Sequence, residues 1–535
     1  MKKIIIIFLI LTAKFLSAQV TQEWVATYPG TGSGYNFPKK SDIDKDGNFI
    51  VAGNSDSTHG YDYIVLKYNP SGNLIWKQRY NGTGNSYDYL IGMVLDDSGN
   101  VYVTGESDDG AALGGINWVT IKYNTNGQMK WKRSLNWIGN KTDEPFGMSI
   151  DKERNIYVVG FGITSSVYRQ MVTIKYSSNG DSLWTKVYRT SPTTHDWGYS
   201  VVSDDSMNVY SSGYGTLPTG NEIVNIKYDQ NGVEKWIEKY PTYYGDWLRP
   251  TYSAIDKENN LVVVGYSYIS NNYDFVTLKY STEGNLLWSR LFAAANDDYA
   301  KSIFLDDNNN ILIGGSAYSI AYSDYLILKY SPNGDTLLIK MIDGGGLNTD
   351  QVHSIISDYL DNIYVTGFSQ SAYGIEHYLT IKLNSTGDTL WSKTYRNAYP
   401  NSAYCINIDS NGSVYVSGAG GTIGGNSGIV TIKYSQLTGI IRNELLNFDN
   451  FELNNYPNPF NPSTIINYKL KTSANVELKV VDIRGNEIKT FVNRIQDAGH
   501  HSIVFDGINL PSGIYFYSLF INKNLKETKR MLLIK

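Results

Sequence analysis

The chain carries one cysteine in 535 residues, Cys405, so no disulfide within it can brace the fold. Cys405 alternates with apolar neighbours in SAYCINID and reads as a small buried side chain. Histidine is almost as scarce. The six (His59, His195, His353, His377, His500, His501) fall into no HExxH or other metal-ligand spacing. A GxSxG nucleophile elbow is absent. Charged residues are only 18% of the chain, low for a helical protein and ordinary for a β-rich one. No basic block interrupts the main body and the net charge is −5. That excludes the concentrated cationic face that nucleic acid requires. Long apolar runs are missing too, except at the start, where MKKIIIIFLILTAKFLSAQV sets Lys2 and Lys3 before Ile4 to Ala13. Leu16-Ser17-Ala18 then offers a small-residue cleavage site. Lys14 breaks the run, so a signal peptide over 1–18 is expected rather than a membrane span. No cysteine follows the run, and no lipoprotein anchor is indicated. Removing 1–18 takes three lysines and moves the net charge from −5 to about −8.

Glycine (50) and tyrosine (44) are abundant instead, and they recur in register. The segment DKDGNFIVAGNS (44–55) returns as DDSGNVYVTGES (96–107), DKERNIYVVGFG (151–162) and DDSMNVYSSGYG (204–215). It returns again as DKENNLVVVGYS (256–267), DDNNNILIGGSA (306–317), DYLDNIYVTGFS (358–369) and DSNGSVYVSGAG (409–420). A second signature follows each copy, as in VTIKYNTNGQMKW (119–131), with a lysine at eight positions from Lys67 to Lys433. A tryptophan stands four residues after the turn glycine at Trp76, Trp131, Trp184, Trp236, Trp288 and Trp391, with Leu338 in one slot. After Lys433 it is missing, and Trp24, ahead of the first copy, can supply it.

Each unit reads as four short strands of period two, a to d, separated by turn residues. Such a unit cannot bury both faces alone, so the units must stack. Radial stacking leaves few exposed edges. The expectation is a β-propeller of eight four-stranded blades over 19–440, or seven with one unit outside, closed by the strand that carries Trp24. These repeats resemble the bacterial β-propeller repeat family, and IKYNxxGxxxW is similar to the tryptophan-docking motif of quinoprotein dehydrogenases. The resemblance implies architecture and not activity.

Asp42, Asp44 and Asp46 before Gly47 could open a calcium loop, and the repeats test that idea. Asp44 is matched by Asp in every unit, but its flanking acids are replaced by Phe304 in one copy and Leu360 in another. A turn-forming aspartate accepting backbone N–H groups is therefore expected, with no metal. The recurrent lysine is expected to lay its stem over a blade and pair a carboxylate.

Variable b–c loops and d–a crossovers share one face, the candidate for recognition. An inner polar ring is expected there from Asn36, Asp88, Asp143, Asp196, Asp298, Asp350 and Asn401, with Leu248 in the fifth unit. An outer ring is expected from Asp62, Asn117, Gln170, Glu222, Asp274, Asp324 and His377. Tyr89, Trp118, Trp197, Tyr244, Trp247 and Tyr299 lie among them. Acids beside flat rings suit a glycan or a protein ligand; alternatively they cap backbone N–H groups at blade junctions. The candidate binding set is Asp88, Tyr89, Trp118, Asp196, Trp197, Trp247, Asp298, Tyr299 and Asp350. No catalytic residue, arginine cluster or cofactor is indicated.

Residues 441–454 read as a linker, and 455–535 as a small antiparallel Ig-like sandwich. Its motifs YPNPFNPST, LPSGIYFY and KRMLLIK resemble the type A C-terminal sorting domain of the type IX secretion system. That resemblance implies a signal including Pro457, Asn458, Pro459, Gly513, Tyr515, Lys529 and Lys535, read by the secretion machinery. The expected protein is a secreted or cell-surface propeller that binds or adheres, the alternative being a polysaccharide- or glycoside-acting enzyme using loop-face carboxylates.

Overall fold

A computed structural model describes residues 20–436 and 453–535, apart from 33, 109–114, 138–141, 164–167, 219, 241–246, 270–271, 295, 319–321, 346–347, 398–399, 422–426, 471–473, 485, 498 and 522–523. The expected signal peptide and most of the expected linker lie outside the described residues. The chain divides into two compact units, 1–436 and 437–535. Among the described residues every regular element is a strand.

The first unit holds eight four-stranded antiparallel sheets. Seven use consecutive strands, the first being Phe37–Ile43, Phe49–Ser57, Gly60–Tyr68 and Leu74–Tyr80. The eighth takes Ser402–Ile408, Val414–Gly421 and Ser427–Gln436, and borrows Val20–Tyr28 from the start of the chain as its outermost strand. Innermost strands of successive sheets pack together, and Phe37–Ile43 meets Ser402–Ile408 to close the ring. Strands b and c are buried almost throughout, as in Phe49, Ile50, Val51 and Ala52, each 0% exposed. Both faces of each blade are covered by its neighbours, which is why these strands are near-continuous Val, Ile and Tyr.

The recurring residues fasten blade to blade. Strand-d tryptophans reach into the next blade's c–d turn: Trp76 Nε1 donates to Thr125 O (2.9 Å), Trp131 to Ser178 O (3.1 Å) and Trp288 to Pro332 O (3.0 Å), whereas Trp391 donates to the Gln436 side chain (3.1 Å). The turn glycine must be bare at that spot. A Cβ on Gly127 would stand 2.8 Å from the Trp76 ring, and Gly127 has φ +78 besides. Strand-c lysines donate to the same carbonyls, as Lys279 to Pro332 O at 3.0 Å, and Lys67, Lys175, Lys279, Lys329 and Lys382 pair with the a–b turn aspartate, Lys279 with Asp256 at 2.8 Å, while Lys433 pairs with Glu23 at 2.9 Å. That aspartate accepts two backbone N–H groups in every unit; Asp44 takes those of Asp46 (3.0 Å) and Asn48 (2.9 Å), plus Lys67 at 2.8 Å. The turn and the cation thus occupy the carboxylate that a calcium loop would need.

The second unit has two sheets, one of Asn454–Tyr456, Ser463–Leu470 and Gly499–Asp506, the other of Glu487–Gln496, Ala474–Asp482, Gly513–Ile521 and Asn524–Leu533. Alternate residues of both, including Ile466, Val476, Leu478, Tyr517 and Leu519, form one core. This is the sandwich its period-two patterning predicts.

Candidate functional site

The inner polar ring is built, but it faces the backbone. Asn36, Asp88, Asp143, Asp196, Asp298, Asp350 and Asn401 are all buried. Asp143 accepts the N–H groups of Trp137 (2.7 Å) and Ile163 (2.9 Å), and so ties the crossover before its strand to the b–c loop after it. Asp298 does the same with Ala294 (2.5 Å) and Tyr318 (3.3 Å), and Asp350 with Gly344 (2.7 Å) and Gln370 (3.1 Å). Asp196 holds the N–H and hydroxyl of Thr190, while Asp88 takes Gly82 N–H at 2.6 Å. Burial pushes Asp143 and Asp298 up to about 6 against these hydrogen bonds. The four candidate aspartates Asp88, Asp196, Asp298 and Asp350 are fasteners with engaged oxygens rather than ligand-facing acids. Of the outer ring, Asp62 pairs with Arg79 and Glu222 with Lys239 at 2.5 Å, while Asn117 Oδ1 and His377 Nε2 are buried without a hydrogen-bond partner.

What faces the channel lies three positions further on. Every innermost strand carries a β-bulge just after its cap. The extra residue is in turn Lys39, Ile91, Phe146, Tyr199, Thr251, Lys301, His353 and Tyr404, and all eight line a central cavity of about 870 Å³. A bulge re-aims its side chain and locally increases twist; here it happens once per blade at one level. Phe146 lies 4.9 Å from Tyr199, and His353 stacks on Tyr404 at 4.8 Å. Burial lowers His353 to about 4, while its Nδ1–H donates to Ala403 O at 2.8 Å, so the imidazole is neutral at pH 7.

Around this mouth the candidate aromatics divide. Tyr89 lies under the Lys39 ammonium, 4.8 Å from its ring centre. Trp197 stacks on Tyr214 at 4.6 Å and carries the Arg169 guanidinium at 5.3 Å. Tyr299 sits 5.5 Å from Lys301 and edge-on to Tyr266. Trp118 is buried between blades, 2% exposed, with its N–H on Phe161 O at 3.2 Å, and serves packing. The side chain of Trp247 and all of Tyr244 lie outside the described residues. The structure also gathers two arginines that the sequence does not suggest as a cluster. Arg169 rests on Phe161 (4.8 Å), Arg249 on Tyr199 (4.2 Å), and both charges act on Tyr214. Arg169 Nε is buried without a hydrogen-bond partner.

Two further groups are acidic. Asp324, Asp343 and Asp350 have carboxylate oxygens within 4.8 Å of one another, but Asp350 is already held by two backbone amides. Glu106, half-buried on strand Val101–Asp108, is raised to about 7 by burial and by Glu144, with Lys39 opposing. Its folded value lies above the ordinary 4.5, so the destabilisation is absent below 4.5, builds as pH rises from 4.5 to about 7 and is fully present above that. Glu106→Gln should therefore stabilise the propeller at pH 8, by about 2 kcal/mol, and change little at pH 4. Denaturant unfolding at the two pH values checks both halves.

In the second unit the three tail motifs, far apart in the chain, meet. Asn458 accepts the Leu532 N–H (2.9 Å) and donates to Arg530 O (3.0 Å). Phe460, between Pro459 and Pro462, bonds Leu532 and Ile534 through its backbone. Tyr515 donates to Pro511 O at 2.8 Å, and the Lys535 N–H to Ser512 Oγ at 3.0 Å. Gly513 opens its strand opposite Leu533, with empty space where a Cβ would stand. Lys529 sits beside Glu527 at 3.3 Å.

Residues 454–535 match the model of a secretion system C-terminal sorting domain, and residues 287–320 that of a β-propeller repeat. No curated protein matches the chain. Solved structures of similar fold are distant. PorZ, a surface component of the type-IX secretion system of Porphyromonas gingivalis, is 12% identical with TM-score 0.39, covering 94% of this chain and 75% of that one. A PL25 ulvan lyase is 12% identical with TM-score 0.42, covering 70% of this chain and 95% of its own. A puromycin hydrolase is 8% identical with TM-score 0.41, covering 72% and 59%. Such likenesses transfer neither ligand nor reaction.

Proposed function

We propose that this propeller, which its C-terminal sorting domain sends through the type IX secretion system to the cell surface or the medium, is a binding protein whose glycan ligand seats at the channel mouth. One observation carries the reading. Every blade repeats its fasteners, yet the bulged residue that each blade aims into the shared cavity changes from blade to blade. Repetition serves the scaffold, while variation at one level of a rigid ring serves recognition. The variable set is rich in rings, which stack on the apolar faces of sugars. Binding of the purified full chain to a glycan array tests this. Tyr199→Ala should weaken any hit at least tenfold while the chain stays folded at the assay temperature, its midpoint lowered by the lost packing on Phe146; retention of full affinity by that variant would sink the reading.

Glu106 supports a second reading, catalysis on a polysaccharide. A carboxyl raised to about 7 beside Glu144 is poised to exchange a proton at neutral pH. Product analysis on any bound glycan separates the two: turnover lost in Glu106→Gln with binding retained favours the enzyme, and binding without turnover the receptor.

A further inference from the structure

The cavity wall has one charge sign. Its lining includes Lys39, Lys40 and Lys301 and, among the described residues, no carboxylate. This is unexpected in a chain whose net charge is −5. None of the three lysines makes an ion pair with a described acid, and the nearby Glu106 and Glu144 do not line the cavity. Two of the lysines, Lys39 and Lys301, occupy the bulged position and so are turned inward by the backbone itself. Each also lies against a ring of the rim, Tyr89 or Tyr299. At the same mouth Arg169 and Arg249 rest on Trp197 and Tyr199, one with a buried N–H still to be used.

We infer that the ligand is an acidic glycan, with uronate carboxylates or sulfate esters placed on Lys39, Lys301 and the two arginines while its sugar rings stack on Tyr199 and Tyr404. The inference rests on the glycan-binding reading and adds the charge. Cations partly shielded from water bind an anion more strongly than the same groups in bulk solvent, and their field draws anions toward the mouth. Cations lying flat on rings leave their outer N–H groups available for carboxylate or sulfate oxygens. A neutral glycan would take water from these charges without offering a counter-charge, which costs affinity.

Calorimetric titration of the full chain with a heparin-derived hexasaccharide, hexagalacturonate and cellohexaose tests the assignment. At least one acidic hexasaccharide should bind tenfold or more tighter than cellohexaose, and the gap should narrow as salt rises. The double variant Lys39→Met/Lys301→Met should lose about tenfold for the acidic ligand, and Lys39→Arg/Lys301→Arg should keep most of it. Lys130→Met, which removes one exposed charge of strand d, is the control and should change nothing. Equal binding of cellohexaose, or an equal loss in Lys130→Met, overturns this inference and leaves the glycan reading standing. Failure of every hexasaccharide to bind overturns the reading itself.

Discussion

Removing residues 454–535 will leave the propeller behind the outer membrane, with its signal at the surface and in the medium falling to background. The segment removed is the whole of the matched sorting domain. It lies within a unit of its own and carries its own core, so the deletion takes no strand from any blade. A chain that no longer reaches the surface has therefore lost an address and not a fold. Fractionation with immunodetection reads the location, and the thermal midpoint of the retained propeller reads its integrity. Narrower changes should act in the same direction. Two of the tail motifs converge through Asn458, whose side chain bridges Arg530 and Leu532. Asn458→Ala leaves the Leu532 N–H without that acceptor and should loosen the corner by about 1 kcal/mol, reducing export without abolishing it. Gly513→Ala meets no neighbour within 4 Å, so any export defect it causes belongs to recognition rather than to folding. Surface display unchanged in the full deletion would refute the role of the module.

Much of this architecture is legible before any coordinates, because a repeat is its own control. The aspartate, lysine and tryptophan recur for reasons visible in each copy, and the structure shows them pairing and docking from blade to blade. The displaced Trp24 announces the borrowed outer strand. The site was less legible, and the cause is local. The repeat marks the cap and the aromatic beside it as lying on the loop face and carries no sign of a bulge. A bulge inserts one residue and reverses the alternation after it. Asp196 and Trp197 are thus the fastener and a rim ring, while Tyr199 enters the cavity. At three residues past the cap the units carry Lys39, Phe146, Tyr199 and His353, unlike one another, but the positions on either side vary too, so the sequence does not single this one out. Arg169 and Arg249 gave no signal either. They come from strands c and a of different blades, and only ring geometry brings both to Tyr214.

Deleting Val20–Tyr28 should open the ring, and this is the largest effect on stability expected of any short segment. Seven blades are each continuous in sequence; the eighth exists only because this strand pairs with Ser427–Gln436 along eight residue pairs, from Val20 with Gln436 to Tyr28 with Ile429. The strand then runs on into the first blade, so the same pairing joins the two ends of the array. Without it the edge of Ser427–Gln436 is bare, an open template for another chain. A monomer of normal size with an unchanged unfolding midpoint would contradict this; a larger hydrodynamic radius, rapid cleavage between blades and self-association are the expected signs. The single change Trp24→Ala isolates the clasp. Trp24 donates to Pro70 O at 3.0 Å, packs on Tyr68 and Tyr415 and covers Gly72, while Lys433 reaches the same carbonyl at 3.2 Å. Trp24 is only half-buried, so the loss is set near the low end for tryptophan truncation, about 3 kcal/mol. Trp76→Ala removes the equivalent clasp between the first two blades, which a continuous chain still joins. Both variants should lose comparable equilibrium stability, yet only Trp24→Ala should speed proteolysis near Gln436, since only there does the clasp substitute for a covalent link.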